Sequence, residues 1–165
     1  MNVAKIQRMD VINGDGFRTS LFVSGCARNC KGCFNKQAQN PDYGIPFTDE
    51  VKEKLFKEIG NKHCAGLSIL GGDPLSKLSD NRKQIIELCK EAKERFPEKS
   101  IFIWTGYTID DIIKDDAMRP IVDVVDVIID GPFVESLKDI DLKWRGSSNQ
   151  NIIYTKDIRK QLKDG

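Results

Sequence analysis

A chain of 165 residues with 26 Lys and Arg against 25 Asp and Glu can bury a substantial single core, and it has no net field with which to gather nucleic acid. Its five cysteines are odd in number and partly clustered, which excludes an ordinary secreted disulfide framework and points to reduced thiols in the cytoplasm. There is no apolar signal segment, no run of membrane-spanning length, no repeat and no low-complexity linker, so one domain over 1–165 is expected, with neither nucleic-acid nor membrane partners.

Taken in order, residues 5–12 and 17–23 are predicted to pair as a hairpin across Asn13-Gly14-Asp15-Gly16, where Asn and Gly accept positive φ. A glycine pair can also cradle a phosphate, but no helix follows this one. The strand ending at Ser24 runs into Gly25-Cys26-Ala27-Arg28-Asn29-Cys30-Lys31-Gly32-Cys33-Phe34-Asn35, and a polar, proline-bearing segment follows. Thr48 reads as an N-cap with Asp49 and Glu50 in the first turn. Val51, Leu55 and Ile59 form an apolar stripe on that helix, and Gly60 is its stop. A strand over 66–70 ends in Gly71-Gly72-Asp73-Pro74. A second helix, opened by Ser79 or Asp80, carries Ile85, Cys89, Ala92 and Phe96 on one face and closes at Pro97. A strand over 100–104 is followed by Thr105-Gly106-Tyr107. Thr108 with Asp111 caps a short helix through Ile112 and Ile113. A strand over 124–129 ends at Asp130-Gly131-Pro132. Trp144-Arg145-Gly146-Ser147-Ser148-Asn149-Gln150 precedes a last strand over 152–154, and the charged residues 155–165 are expected to fray.

Short apolar strands alternating with helices predict an α/β fold with a mainly parallel sheet, right-handed crossovers and both sheet faces covered. A complete eight-stranded barrel needs about 250 residues, so the expectation is a partial, open β/α barrel. Ligands in such folds bind at the carboxyl ends of the strands. Cys26, Gly71-Gly72-Asp73, Thr105-Gly106 and Asp130 each follow a strand, so together they predict one composite site. Each taken alone is also ordinary turn chemistry.

The cysteine loop has the spacing C-x3-C-x2-C and no fourth cysteine nearby. Iron–sulfur clusters are held by thiolates, usually four, and a catalytic metal site keeps one position open. Cys26, Cys30 and Cys33 therefore suggest a four-iron cluster with one iron left for a reactant. Three other readings compete. The cysteines would share one face of a helix, although Gly25, Asn29 and Gly32 are poor helix residues. A structural zinc site would need a fourth ligand, and His63 lies far along the chain. An electron-transfer iron–sulfur protein would take Cys64 as the fourth ligand.

The loop resembles the signature of the radical S-adenosylmethionine superfamily, in which the open iron binds the amino and carboxylate groups of S-adenosylmethionine. Gly71-Gly72-Asp73-Pro74 resembles the version of that superfamily's glycine-rich element found in activating enzymes of anaerobic ribonucleotide reductase. The Gly32-Cys33-Phe34-Asn35 sequence is similar to the same family, as are the stretches at 104–107, 127–131 and 144–150. The resemblance runs from about residue 13 to residue 150.

It implies that Gly32, Cys33 and Phe34 lie beside the adenine and that Gly71 and Gly72 meet the methionyl amino group. Asp73, Thr105 and Asp130 are further candidates for cofactor contact. No side chain beyond the cluster ligands is implied to be catalytic. Reductive cleavage would yield methionine and a 5′-deoxyadenosyl radical. That radical would take a hydrogen atom from a glycine in the large subunit of anaerobic ribonucleoside-triphosphate reductase. A one-electron reductant protein is the other implied partner. An activase of a different glycyl-radical enzyme, or another small radical enzyme, would use the same loop. The 144–150 stretch is open between docking a partner, closing the site and forming a packed turn. Cys89 reads as core, His63 and Cys64 as packing or surface, and Arg18 and Lys31 as solvated surface.

Overall fold

The computed structural model describes residues 1–78 and 81–165. Strands β1 (Asn2–Asp10) and β2 (Arg18–Val23) form the expected antiparallel hairpin. The buried Asp10 carboxylate organises its connection. It accepts from the Ile12 backbone N–H at 2.8 Å, the Asn13 amide at 2.7 Å and the Ser20 hydroxyl at 2.6 Å. Burial alone would raise the Asp10 pKa, but these donors outweigh it and hold the carboxyl below its ordinary 3.8. A two-residue strand, β3 (Ile45–Pro46), adds to the far side of β1; it is too short to show any periodicity.

Helix α1 (Asp49–Ile59) starts where predicted, with the Thr48 hydroxyl accepting from the Val51 N–H at 3.3 Å. It buries Leu55, Phe56 and Ile59. Strand β4 (Gly66–Gly71) leads to α2 (Asn81–Arg95), which buries Ile85, Cys89 and Ala92 as the stripe requires. The predicted opening of α2 at Ser79 or Asp80 lies outside the described residues. Strand β5 (Ser100–Trp104) is followed by α3 (Ile109–Lys114), closed by a reciprocal capping box between Thr108 and Asp111.

In the second half of the chain three elements depart from the expectations. The strand predicted from residue 124 starts later, as β6 (Val127–Asp130), because a helical turn, α4 (Ile121–Val124), precedes it. Met118, Ile121, Val122 and Val125 are buried at helical spacing, and Pro120 supplies a helical φ of −57° at the start. The last strand, β7 (Asn151–Tyr154), is antiparallel to β6. The expected frayed tail is instead a ten-residue helix, α5 (Thr155–Asp164). The Thr155 hydroxyl donates to the Val125 carbonyl at 2.5 Å, Arg159 Nη1 donates to the Val122 carbonyl at 2.8 Å, and Ile158 packs on the core. These anchors overcome the charged composition that suggested fraying.

The sheet order is β3-β1-β2-β4-β5-β6-β7, open at both edges, with β2, β4, β5 and β6 parallel in the middle. Alternation along the strands splits their residues between two faces. Leu21, Val23, Leu67, Ile69, Ile101, Ile103 and Ile128 join one cluster with Leu55, Ile59, Ile85, Cys89, Ile112 and Ile121 from the helices. Each such residue contributes about 1.5–3 kcal/mol by burial. The opposite face carries Phe22, Leu70 and Trp104 and lines a cavity. Among the described residues the α-helices thus pack on one face, in contrast to the two-sided cover expected.

Arg18, expected at the solvated surface, is completely buried on the cavity-side face. Its Nε donates to Ser68 Oγ at 2.7 Å. Nη1 donates to Ser100 Oγ at 2.9 Å and the Asp15 carbonyl at 3.0 Å. Nη2 donates to the Leu67 and Ser100 carbonyls at 2.9 and 2.8 Å. The Phe102 ring centre lies 4.3 Å from the guanidinium carbon. Burial lowers the Arg18 pKa to about 10, still charged at neutral pH. The guanidinium therefore pins β2, β4 and β5 together at their amino ends.

Two outcomes follow. Arg18→Met strips the donor from five acceptors, two of them in fully buried bonds, and is expected to cost more than about 3 kcal/mol in urea unfolding. A loss below 1 kcal/mol would refute the pinning role. Asp10→Ala is expected to cost about 1–3 kcal/mol at pH 7. Because the folded pKa of Asp10 is depressed, its contribution is present above the unfolded carboxyl value near 4 and fades as pH falls through the folded value. The gap between wild type and variant should close with acidification; a gap constant down to pH 2 would contradict this.

Candidate cofactor and metal site

The parallel order of β2, β4, β5 and β6 brings their carboxyl ends to one edge. Backbone contacts then dock the cysteine loop on that edge. The Gly72 N–H donates to the Val23 carbonyl at 2.7 Å, and the Asp73 N–H donates to the Gly25 carbonyl at 2.9 Å. Gly25 and Cys26 in turn donate to the carbonyls of Ala38 and Gln39, at 2.7 and 3.0 Å. A Cβ on Gly72 would come within 2.6 Å of the Ala38 and Gly25 carbonyl oxygens. Glycine is needed here so that the cysteine loop can lie directly on the turn after β4.

Cys26, Cys30 and Cys33 all line an open cavity of about 680 Å³ and are partly exposed, unpaired thiols. The loop is not helical. Burial, with the charges of Asp73 and the other two cysteines adding to it, pushes the Cys26 thiol up to about 11. Iron loading must therefore release a proton there. Among the described residues, no three His, Cys, Asp or Glu side chains are gathered closely enough to enclose a single metal ion. A four-iron cluster has less need of such closure, because each thiolate binds a different iron. Three sulfur donors on one cavity wall fit that group.

Phe34, Gly71, Gly72, Asp73 and Thr105 also line the cavity. Phe34 is exposed, packs against Phe133 with ring centres 5.1 Å apart, and has Lys138 Nζ above its face. Asp73 and Thr105 turn to each other. Asp73 Oδ1 accepts from the Thr105 hydroxyl at 2.8 Å and the Leu75 N–H at 3.0 Å, and Oδ2 accepts from the Gly106 N–H at 2.9 Å. Burial raises the Asp73 pKa against the pull of these donors and of the Arg28 charge. The pair ties the turn after β4 to the turn after β5.

Two expected contacts lie elsewhere. Asp130 is not in the cavity wall. Its Oδ2 accepts from the Ile109 N–H at 2.8 Å, and its Oδ1 accepts from Asn151 N and Nδ2, both at 3.1 Å, so it joins β6 to α3 and β7. Gly32 adopts a φ of +74° and backs onto Glu135, which pairs with Lys31 at 3.8 Å.

The segment from Gly131 to Gln150 forms the remaining wall. Trp144 has a φ of +57°, held by the Trp104 Nε1–H donating to its carbonyl at 2.7 Å and by an edge-on contact with Phe102 at 5.0 Å. Gln150 Oε1 accepts from the Gly146 and Ser147 N–H groups, and its amide donates to the Gly131 carbonyl. The 144–150 stretch is thus a self-tied turn that also lines the cavity.

Cys64 is buried against Thr19 and the Gly66 carbonyl, at the amino end of β4. Six residues of strand, about 20 Å, separate it from the cysteine loop. It cannot be the fourth ligand of an electron carrier, and the exposed His63 beside it cannot complete a zinc site. Arg28, which the sequence reading does not single out as a site residue, also lines the cavity, with its guanidinium carbon 4.6 Å from the centre of the Tyr107 ring. The only sequence signal for the pair is a large cation inside the cysteine spacing and an aromatic residue directly after Thr105-Gly106.

Asp73→Asn turns one of the two acceptor oxygens into an amide donor that faces a backbone N–H, of Leu75 or of Gly106. It is expected to lower stability by about 1–3 kcal/mol in chemical unfolding. Unchanged stability would mean that Asp73 is not a structural tie.

Residues 12–153 match the family described as a 4Fe-4S single cluster domain. The chain is 42% identical over 144 residues to the anaerobic ribonucleoside-triphosphate reductase-activating protein of Salmonella typhimurium, covering 86% of this chain and 91% of that one. It is 39% identical over 152 residues to the protein of the same name from Escherichia coli K12, covering 91% and 96%. The namesake from Enterobacteria phage T4 is 40% identical over 152 residues, covering 92% and 93%. With similarity of this extent and all three cysteines on one cavity wall, the chain belongs to the family of anaerobic ribonucleoside-triphosphate reductase-activating proteins.

Proposed function

We propose that this chain is a radical S-adenosylmethionine activase that installs a glycyl radical on the large subunit of an anaerobic ribonucleoside-triphosphate reductase. The observation that carries the reading is the placement of Cys26, Cys30 and Cys33 on the wall of a cavity that is open to the outside. Its volume is in the range of small-molecule sites, and its open side leaves room for a segment of another protein. On this reading the sheet is the partial β/α barrel of the superfamily.

Cys26, Cys30 and Cys33 would hold the 4Fe-4S cluster. When bound, the cluster would supply the one-electron reduction that cleavage of S-adenosylmethionine requires, and the target glycine would be the hydrogen donor. The chain's own residues bind and orient. Phe34, packed against the tilted Phe133 ring, offers an apolar wall for the adenine, beside Cys33 and the turn at Gly32. Gly71 and Gly72 present backbone to the amino-acid end. Asp73 and Thr105 hold that backbone in place through their mutual hydrogen bond, and Asp130 acts at a distance by fixing α3 and β7. Trp104 and Trp144 help to exclude water from the cavity floor.

Five unpaired cysteines suit a reducing compartment, which supports the cytoplasm. Among the described residues no helix is long and apolar enough to cross a membrane. A one-electron reductant protein is the remaining partner.

Anaerobic reconstitution with iron and sulfide, followed by chemical reduction, should give 5′-deoxyadenosine and methionine from S-adenosylmethionine. Cys30→Ala should lose more than about 100-fold of that turnover, more than is lost when a residue supporting a ligand is changed. A stable cluster that never cleaves S-adenosylmethionine, even with the reductase present, would overturn the reading.

A further inference from the structure

Arg28 lies inside the cysteine loop, between Cys26 and Cys30, and lines the cavity. Its guanidinium carbon sits 4.6 Å from the centre of the Tyr107 ring. A Cβ on Gly106 would come within 2.6 Å of its Cδ and Nε, so the side chain is threaded closely along the turn after β5. Its Nε is buried and, among the described residues, has no hydrogen-bond partner.

Arg18, which is fully buried, makes the contrast clear. Arg18 has its nitrogens engaged by Ser68, Ser100, Leu67 and Asp15. A buried N–H left unfilled costs about 1–3 kcal/mol, and such groups in native proteins call for a missing partner. Asp73 and Asp111 both feel the Arg28 charge, but the two oxygens of Asp73 are already taken by Leu75, Thr105 and Gly106, and Asp111 accepts from the Thr108 N–H in the capping box. The side chain that is missing a partner is therefore a fixed cation on a cavity wall, and its natural partner is an anionic acceptor from a ligand. A planar guanidinium is matched to a carboxylate.

We propose that Arg28 binds the α-carboxylate of the amino-acid portion of S-adenosylmethionine, with the Tyr107 ring holding the guanidinium in place. This rests on the reading of the cavity as the S-adenosylmethionine site. Within that reading, Arg28 lies beside Gly106 and Asp73, next to the Gly71-Gly72 backbone assigned to the amino-acid end. Adenine and ribose carry no anion. The cluster thiolates and sulfides are the competing anionic acceptors, and the test separates them from the carboxylate.

Equilibrium binding would be measured anaerobically on the cluster-loaded chain with two probes, S-adenosylmethionine and its decarboxylated analogue. Wild type, Arg28→Gln, Arg28→Lys and Tyr107→Leu would be compared at equal cluster content, checked by absorbance. Arg28→Gln should weaken S-adenosylmethionine roughly 10- to 100-fold while changing the decarboxylated analogue less than about 3-fold. Arg28→Lys should retain part of the affinity, and Tyr107→Leu should show a smaller loss with the same selectivity. An equal loss for both probes would assign Arg28 to the cluster or the loop and overturn the proposal, as would unchanged affinity. If Arg28→Gln fails to take up the cluster, the other two variants carry the same comparison. Failure of the wild type itself to bind S-adenosylmethionine would remove the reading of the cavity, and Arg28 with it.

Discussion

The site depends on one close approach, the backbone of the cysteine loop lying directly on the turn after β4. The Gly25 carbonyl accepts from the Asp73 N–H, and the Val23 carbonyl accepts from the Gly72 N–H. There is no room for a side chain at Gly72. This contact sets where Cys26 stands relative to the strand ends, and Asp73 passes the constraint on to β5 through Thr105 and Gly106. Three turns from distant parts of the sequence thereby become one rigid rim. The glycines that look made for approach to a ligand are required first for the approach of one protein segment to another.

The same parallel strands are held at their other end by a buried cation. Arg18 uses neutral acceptors and an aromatic face, with no carboxylate among its direct hydrogen-bond partners in the described residues. Its charge is spread over several carbonyl and hydroxyl dipoles, which offset part of the desolvation penalty of a buried guanidinium. The sheet is thus tied by polar contacts at both ends of its cavity face, while the helix face is cemented by aliphatic packing. A wall built this way can stay open to a ligand without collapsing.

Much of this was legible in the sequence. Local rules found the α1 cap at Thr48, the capping box at Thr108, the apolar stripes of α1 and α2 and the first hairpin, because each signal lies within a few residues. Strand-end logic placed Cys26, Gly71, Gly72 and Thr105 on one cavity, and the family resemblance agrees with relatives 39–42% identical over most of the chain. What escaped depends on distance. The charged tail reads as frayed until Thr155 and Arg159 find the carbonyls of Val125 and Val122. Asp130 ends a strand, yet spends its oxygens on Ile109 and Asn151. Arg18 and Arg28 are both polar letters, and only the folded chain shows one saturated and the other lacking an acceptor.

The most direct test of the central claim is electron paramagnetic resonance on the large subunit of the anaerobic reductase after incubation with the reduced, cluster-loaded chain and S-adenosylmethionine. The account predicts an oxygen-sensitive glycyl-radical signal that requires S-adenosylmethionine and disappears with Cys30→Ala. Cleavage of S-adenosylmethionine with no radical on the reductase would contradict the assignment of the target and favour a different glycyl-radical protein.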